Sequence, residues 1–187
     1  MCNHCPFVKL LLNQDPARPC GDHSLQKVAA EYLSRGVSTV GISSNPEEDY
    51  PQDGPAAMAE LVKTEGVGFP YLYDADQSVA RAWGAACTPD FFLLDADGAL
   101  VYHGQWDSSR PTKYVEKAMP VDAASIRTAL NALCLDDAAA RTAAMPTAEQ
   151  QRPALGCNIK WRQEGTPAYF KPRGVMMDSM GGLLGDA

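Results

Sequence analysis

The stretch TPDFFLLDADGALVYHGQW, residues 88–106, holds two apolar runs, FFLLD and ALVYHG, on either side of Asp97-Gly98. Phe, Leu, Val and Tyr in short runs suit the pleated, half-buried surface of strands. Asp-Gly between such runs is a strong hairpin signal, because a tight turn needs the positive φ that glycine adopts without a Cβ clash. The stretch therefore predicts an antiparallel hairpin.

Working upstream, FPYLYD (69–74) reads as a short extended segment, with Phe69, Tyr71 and Tyr73 alternating as a strand requires, and VSTVGIS (37–43) as a buried β-branched strand. Helical spacing predicts helices over 5–13 (beginning near Cys2, with Pro6 in the first turn), 24–36, 55–66 and 77–85. Between them, SNPEEDYPQDG (44–54) is a polar loop, and downstream 121–135 is a helix with Asp122 at its cap. The order is α/β with a closing antiparallel hairpin. Past 135 the composition loses large apolar residues. Residues 136–155 read as a flexible linker, and 156–187 as an extension with an ordered island, GCNIKWR, and a loose Gly- and Met-rich tail. Residues 1–135 form the domain.

The chain has 187 residues, 45% of them apolar and 21% charged, as a soluble globular protein has, and a net charge of −7. That charge argues against nucleic acid or an anionic membrane as a partner. No apolar run reaches the ~18 residues of a membrane span. Cysteines stand at 2, 5, 20, 87, 134 and 157. Scattered thiols with one close pair fit redox chemistry better than a disulfide scaffold.

The close pair lies in MCNHCPFVK, residues 1–9. A thiolate is the nucleophile in disulfide exchange, and a helix N-terminus lowers a thiol's pKa through its free N–H groups and its dipole. Two intervening residues bring Cys5 round to form a disulfide with Cys2 and to resolve a mixed disulfide. His4, between them, is expected to stabilise the Cys2 thiolate and make the couple more oxidising.

With FPYLYDADQSVARAWGAACTPDFFLLDADGALVYHGQWDSSRP and GCNIKW, the CNHCPFVK motif resembles thioredoxin-like proteins of the alkyl-hydroperoxide-reductase/thiol-specific-antioxidant (redoxin) superfamily over roughly 1–162. The resemblance implies a three-layer thioredoxin-like fold with a mixed sheet. It implies Cys2 as the exposed nucleophile and Cys5 as the buried resolving cysteine. Pro89 corresponds to a cis-proline, and Thr88 before it offers its backbone to substrate. The implied activity is thiol–disulfide exchange with protein substrates and a thiol reductant, with no cofactor.

Several alternatives stand beside this. Cys2, Cys5, Cys20 and His23 make a Cys₃His metal set on paper, although the redox context accounts for the first pair without one. Cys87 and Cys157 are either buried thiols or a second pair that pins the island or relays electrons, and Cys134 is a core thiol. A peroxide-reducing activity is disfavoured, because its Pro-x-x-x-Thr run does not precede Cys2. A non-catalytic redox-sensing or binding domain is the rival from another class. The fold expected is N-terminally incomplete, since the strand that leads into such a dithiol is missing from the sequence. On that expectation the strands at 37–43 and 91–95 keep unpaired edges and the core is split. The compartment stays open, with the cytoplasm favoured.

Overall fold

The computed structural model describes residues 1–169 and the backbone of a strand at Met176–Asp178. Among the described residues six α-helices and seven short strands follow one another in an α/β order. Helix α1 (Pro6–Leu11) is followed by α2 (Leu25–Leu33), strand β1 (Gly41–Ser43), α3 (Pro55–Glu65), β2 (Tyr71–Tyr73) and α4 (Ser78–Ala82). Then come β3 (Cys87–Thr88), β4 (Phe91–Leu94), β5 (Leu100–Gly104), α5 (Ala124–Leu133), α6 (Ala138–Ala144), β6 (Leu155–Asn158) and β7 (Met176–Asp178). This is a thioredoxin-like layout with small sheets.

The strands pair as β1 with β2 in parallel, β4 with β5 antiparallel, and β3–β6–β7 antiparallel. The β4–β5 hairpin is the one the Asp-Gly signal requires. Gly98 takes φ +81°, and Asp95 closes the turn by accepting from the N–H groups of Asp97 (3.0 Å) and Ala99 (2.8 Å).

Among the described residues β1 and β4 do not pair with one another, yet the core is not split. One buried cluster runs from Cys2 and Cys5 through α1 to Leu93, Tyr102, Trp106 and α5. The reason is local. Met1 lies against β1, donating its amino group to the Ile42 carbonyl, and its sulfur sits 3.0 Å from where a Cβ on Gly41 would be. Helix α1 then presses Phe7, Val8, Leu10 and Leu11 into the same core. Each such side chain is worth at most about 1.5–3 kcal/mol of burial.

Two expectations change. Helix α1 begins at Pro6, with Cys5 as its N-cap, rather than near Cys2. Proline suits the first helical position, and Asp53 takes the N–H groups of Asn3 and His4, which holds residues 2–4 in an open loop. The segment 136–155 is not a flexible linker throughout. It contains α6, capped by the Asp137 carboxylate accepting from the Ala140 N–H at 2.7 Å. Gln151 then crosses to β5, accepting from the His103 N–H (2.9 Å) and donating to the Val101 carbonyl (3.2 Å). Alanine's helix propensity and a good cap suffice where large apolar residues are lacking.

Candidate functional site

Thr88 is the hub of the site. The Cys2 sulfur lies 3.4 Å from the Thr88 hydroxyl, and the Cys5 thiol donates to the Thr88 carbonyl at 3.0 Å. Strand β3 delivers that residue, and the Thr88–Pro89 peptide that follows is cis. Five residues expected to belong together (Cys2, His4, Cys5, Thr88 and Pro89) thus stand within one small region.

Both sulfurs are buried, Cys2 being 1% exposed and Cys5 0%. An exposed Cys2, as the resemblance implies, is not what the structure has. Burial opposes a charge on Cys5, but hydrogen bonds with Cys157, Cys2, Thr88 and the Val8 N–H outweigh it, so the Cys5 thiol is held well below the usual thiol range. The helix end acts on Cys5, its N-cap, rather than on Cys2. Cys2 is pushed up by its hydrogen bond with Cys5, by burial, and by the charges of Cys5 and Asp53, with the Thr88 hydroxyl working the other way.

His4 lies between Asp53 and Tyr50. Its Nδ1 pairs with Asp53 Oδ2 at 2.7 Å, and its ring stacks on Tyr50 with centroids 5.8 Å apart. A ring nitrogen, an Asp53 oxygen and the Cys2 sulfur all lie within 4.8 Å of one another, so these are the described groups placed to share a cation. They offer three donors, one short of the four of a structural zinc site. Cys20 belongs elsewhere. Its sulfur faces the Leu10 and Leu11 carbonyls at 3.6 and 3.8 Å and Asn13 Oδ1 at 3.3 Å, while His23 lies exposed.

A family model described as Redoxin matches residues 2–119, more than half of the chain. This chain belongs to the redoxin family. Solved structures agree. An uncharacterized conserved protein from Geobacillus kaustophilus is 44% identical, with a TM-score of 0.71 over 87% of this chain and 75% of that one. A hypothetical protein from Sinorhizobium meliloti is 39% identical, with a TM-score of 0.71 over 87% of this chain and 77% of that one. No curated protein matches the chain.

In this redoxin two further residues complete the site, Asp53, which the sequence left in a polar loop, and Cys157, which it weighed only beside Cys87. Asp53, 0% exposed, accepts from the N–H groups of Asn3 (2.8 Å) and His4 (3.3 Å), from Asn45 Nδ2 (2.8 Å) and from the His4 ring. Burial alone would raise its pKa, but these partners outweigh it and hold the carboxyl below the usual carboxylate range. Asp53 therefore fixes the backbone of the Cys2–Cys5 loop from beneath. The only signal for it was an Asp in a turn-rich loop, which reads as solvated.

The second is Cys157. Strand β6 pairs with β3 in the register Cys87↔Asn158 and Thr88↔Cys157, and the Thr88 hydroxyl donates to the Cys157 carbonyl at 3.4 Å. The Thr88 backbone is thus taken by the chain's own β6 rather than left open for substrate. Residues directly opposite across a ladder share a face, so Cys157 and Thr88 point to the dithiol side. Cys87 is one residue off and points to the other side, with its sulfur 3.8 Å from the Pro89 carbonyl. The Cys87–Cys157 pairing considered from sequence does not fit that geometry.

Proposed function

We propose that this redoxin is a thiol–disulfide oxidoreductase whose Cys2 and Cys5 cycle between dithiol and disulfide. The observation that carries the reading is the convergence of both sulfurs on Thr88, at 3.4 and 3.0 Å, on the residue before a cis-proline.

As a substrate disulfide reaches Cys2, the Cys2 sulfur attacks and its proton goes to solvent. One substrate sulfur leaves as a thiolate and Cys2 is left in a mixed disulfide. Cys5 then attacks the Cys2 sulfur, its proton going to the departing thiolate, and the Cys2–Cys5 disulfide closes. A thiol reductant restores the pair. Asp53 keeps the loop geometry constant through the cycle. The protein disulfide and the reductant are expected from the chemistry, which involves no cofactor.

Insulin reduction with dithiothreitol tests this. Cys2→Ser and Cys5→Ser are each expected to fall to the uncatalysed rate while the wild-type chain accelerates precipitation. Full activity in Cys2→Ser overturns the reading. Peroxide consumption measured on the same sample separates it from a peroxide-reducing role.

A further inference from the structure

Resting on that reading, we infer that Cys157 is the third thiol of the redox centre. It takes over Cys5 by exchange and leaves Cys2 free. Three independent observations place it there. The β3–β6 register sets Cys157 opposite Thr88, the residue that both Cys2 and Cys5 contact. Its thiol and that of Cys5 interact closely enough to push their titrations apart, Cys157 up and Cys5 down. And the strand that carries it is held by buried polar groups rather than laid on the surface.

That anchoring is extensive. Asn45, 2% exposed, accepts from the Lys160 N–H at 3.0 Å while its amide donates to Asp53 at 2.8 Å, so one side chain ties the Cys157 segment to the carboxylate under the dithiol loop. Gln77, 0% exposed, donates to the Ser44 carbonyl (2.7 Å) and the Lys160 carbonyl (2.9 Å), and accepts from the Arg162 N–H (2.9 Å). At Gly156 an added Cβ would lie 2.0 Å from the Thr88 carbonyl oxygen, which is backbone and cannot swing aside. Only glycine lets β6 come this close. Cys157 is also the most accessible of the three cysteines, 8% exposed against 1% and 0%.

The step balances within the chain. After a substrate has oxidised the dithiol, the Cys157 sulfur attacks Cys5. The Cys5–Cys157 bond forms, the Cys2–Cys5 bond breaks, and Cys2 leaves as a thiolate that takes up the proton Cys157 gave away. No net oxidation occurs. The disulfide has moved one sulfur along, and Cys2 is a nucleophile again.

The experiment uses the whole reduced chain, treated with an equimolar amount of diamide, quenched with N-ethylmaleimide and digested with trypsin without reduction. Cleavage after Lys9, Arg141 and Lys160 separates the peptide holding Cys2 and Cys5 from the one holding Cys157, and mass spectrometry reads any link between them. The wild type is expected to give the linked peptides with Cys2 alkylated. Cys2→Ser is expected to keep the link and Cys5→Ser to lose it. In Cys157→Ser, Cys2 and Cys5 should protect each other, with Cys2 alkylation several-fold below that of the wild type. Absence of the link from both the wild type and Cys2→Ser overturns the inference, while the Cys2–Cys5 disulfide in Cys157→Ser shows that the dithiol cycle itself survives. If Cys157→Ser fails to form Cys2–Cys5, the exchange falls from its other end, with the dithiol reading. The wild-type mapping depends on no variant's folding.

Discussion

Asp53 governs a few atoms, and its effect is measurable at that scale. It is buried, and its charge is matched by His4, Asn45 and the loop N–H groups. Its folded pKa is depressed, so its contribution to stability is present above the unfolded value of ~3.9 and lost as pH falls through the folded value. Urea midpoints followed from neutral pH into the acid range should fall in the wild type and show a shallower slope in Asp53→Asn. Asp53→Ala leaves two buried N–H groups without their acceptor and is expected to cost about 1–3 kcal/mol for each, read as a lower midpoint at neutral pH. A second prediction concerns Cys5. Thiolate absorbance near 240 nm should persist well below the ~8.5 at which a free thiol titrates and vanish in Cys5→Ser. Titration of the full absorbance at the free-thiol pH in the wild type would refute the assignment.

At the scale of elements, the hairpin and the β3–β6 ladder make opposite predictions. Gly98, at φ +81° with open space around its Cα, is constrained only by its backbone. Gly98→Ala should cost about 1–2 kcal/mol in thermal or urea unfolding and leave alkylation of Cys157 unchanged. Gly156→Ala meets the Thr88 backbone instead. It should lift β6 from β3, with Cys157 alkylated several-fold faster in the reduced protein. An unchanged alkylation rate would mean that the strand tolerates a Cβ.

Elements also show where the sequence was legible. The hairpin was, because Asp97-Gly98 and the flanking runs are local signals. The helix at 138–144 carried its signals too, an Asp137 cap and an alanine-rich run, but poverty in large apolar residues outweighed them on reading. The start of α1 was misplaced by a few residues for a reason outside the segment. Asp53, which holds the loop open, bonds to Asn3 across 50 positions. The contact that brings Cys157 in spans 69 positions, from Thr88. No periodicity reports partners so distant. Cys2, Cys5, Thr88 and Pro89 were recognisable as a set because motif resemblance carries long-range information that spacing alone lacks.

For the molecule as a whole, family membership and fold stand on the match over residues 2–119 and on relatives with 44% and 39% identity. The described stretch 136–162 is woven into the structure rather than appended. Arg152 accepts through its carbonyl from the Gln105 N–H at 2.9 Å, and Gln77 and Asn45 hold the 156–162 stretch. Truncation after residue 135 is expected to lower the urea midpoint and expose Cys5 to alkylation. A truncated chain with an unchanged midpoint would show the segment to be dispensable.

The pairing of Thr88 with Cys157 has a thermodynamic corollary for recognition. An extended peptide that needs the β3 edge competes with a strand tethered to the same molecule. Its apparent affinity equals the intrinsic one multiplied by the fraction of molecules in which β6 has let go. Discrimination then lies as much in how tightly Gln77 and Asn45 hold that strand as in any contact the incoming peptide makes.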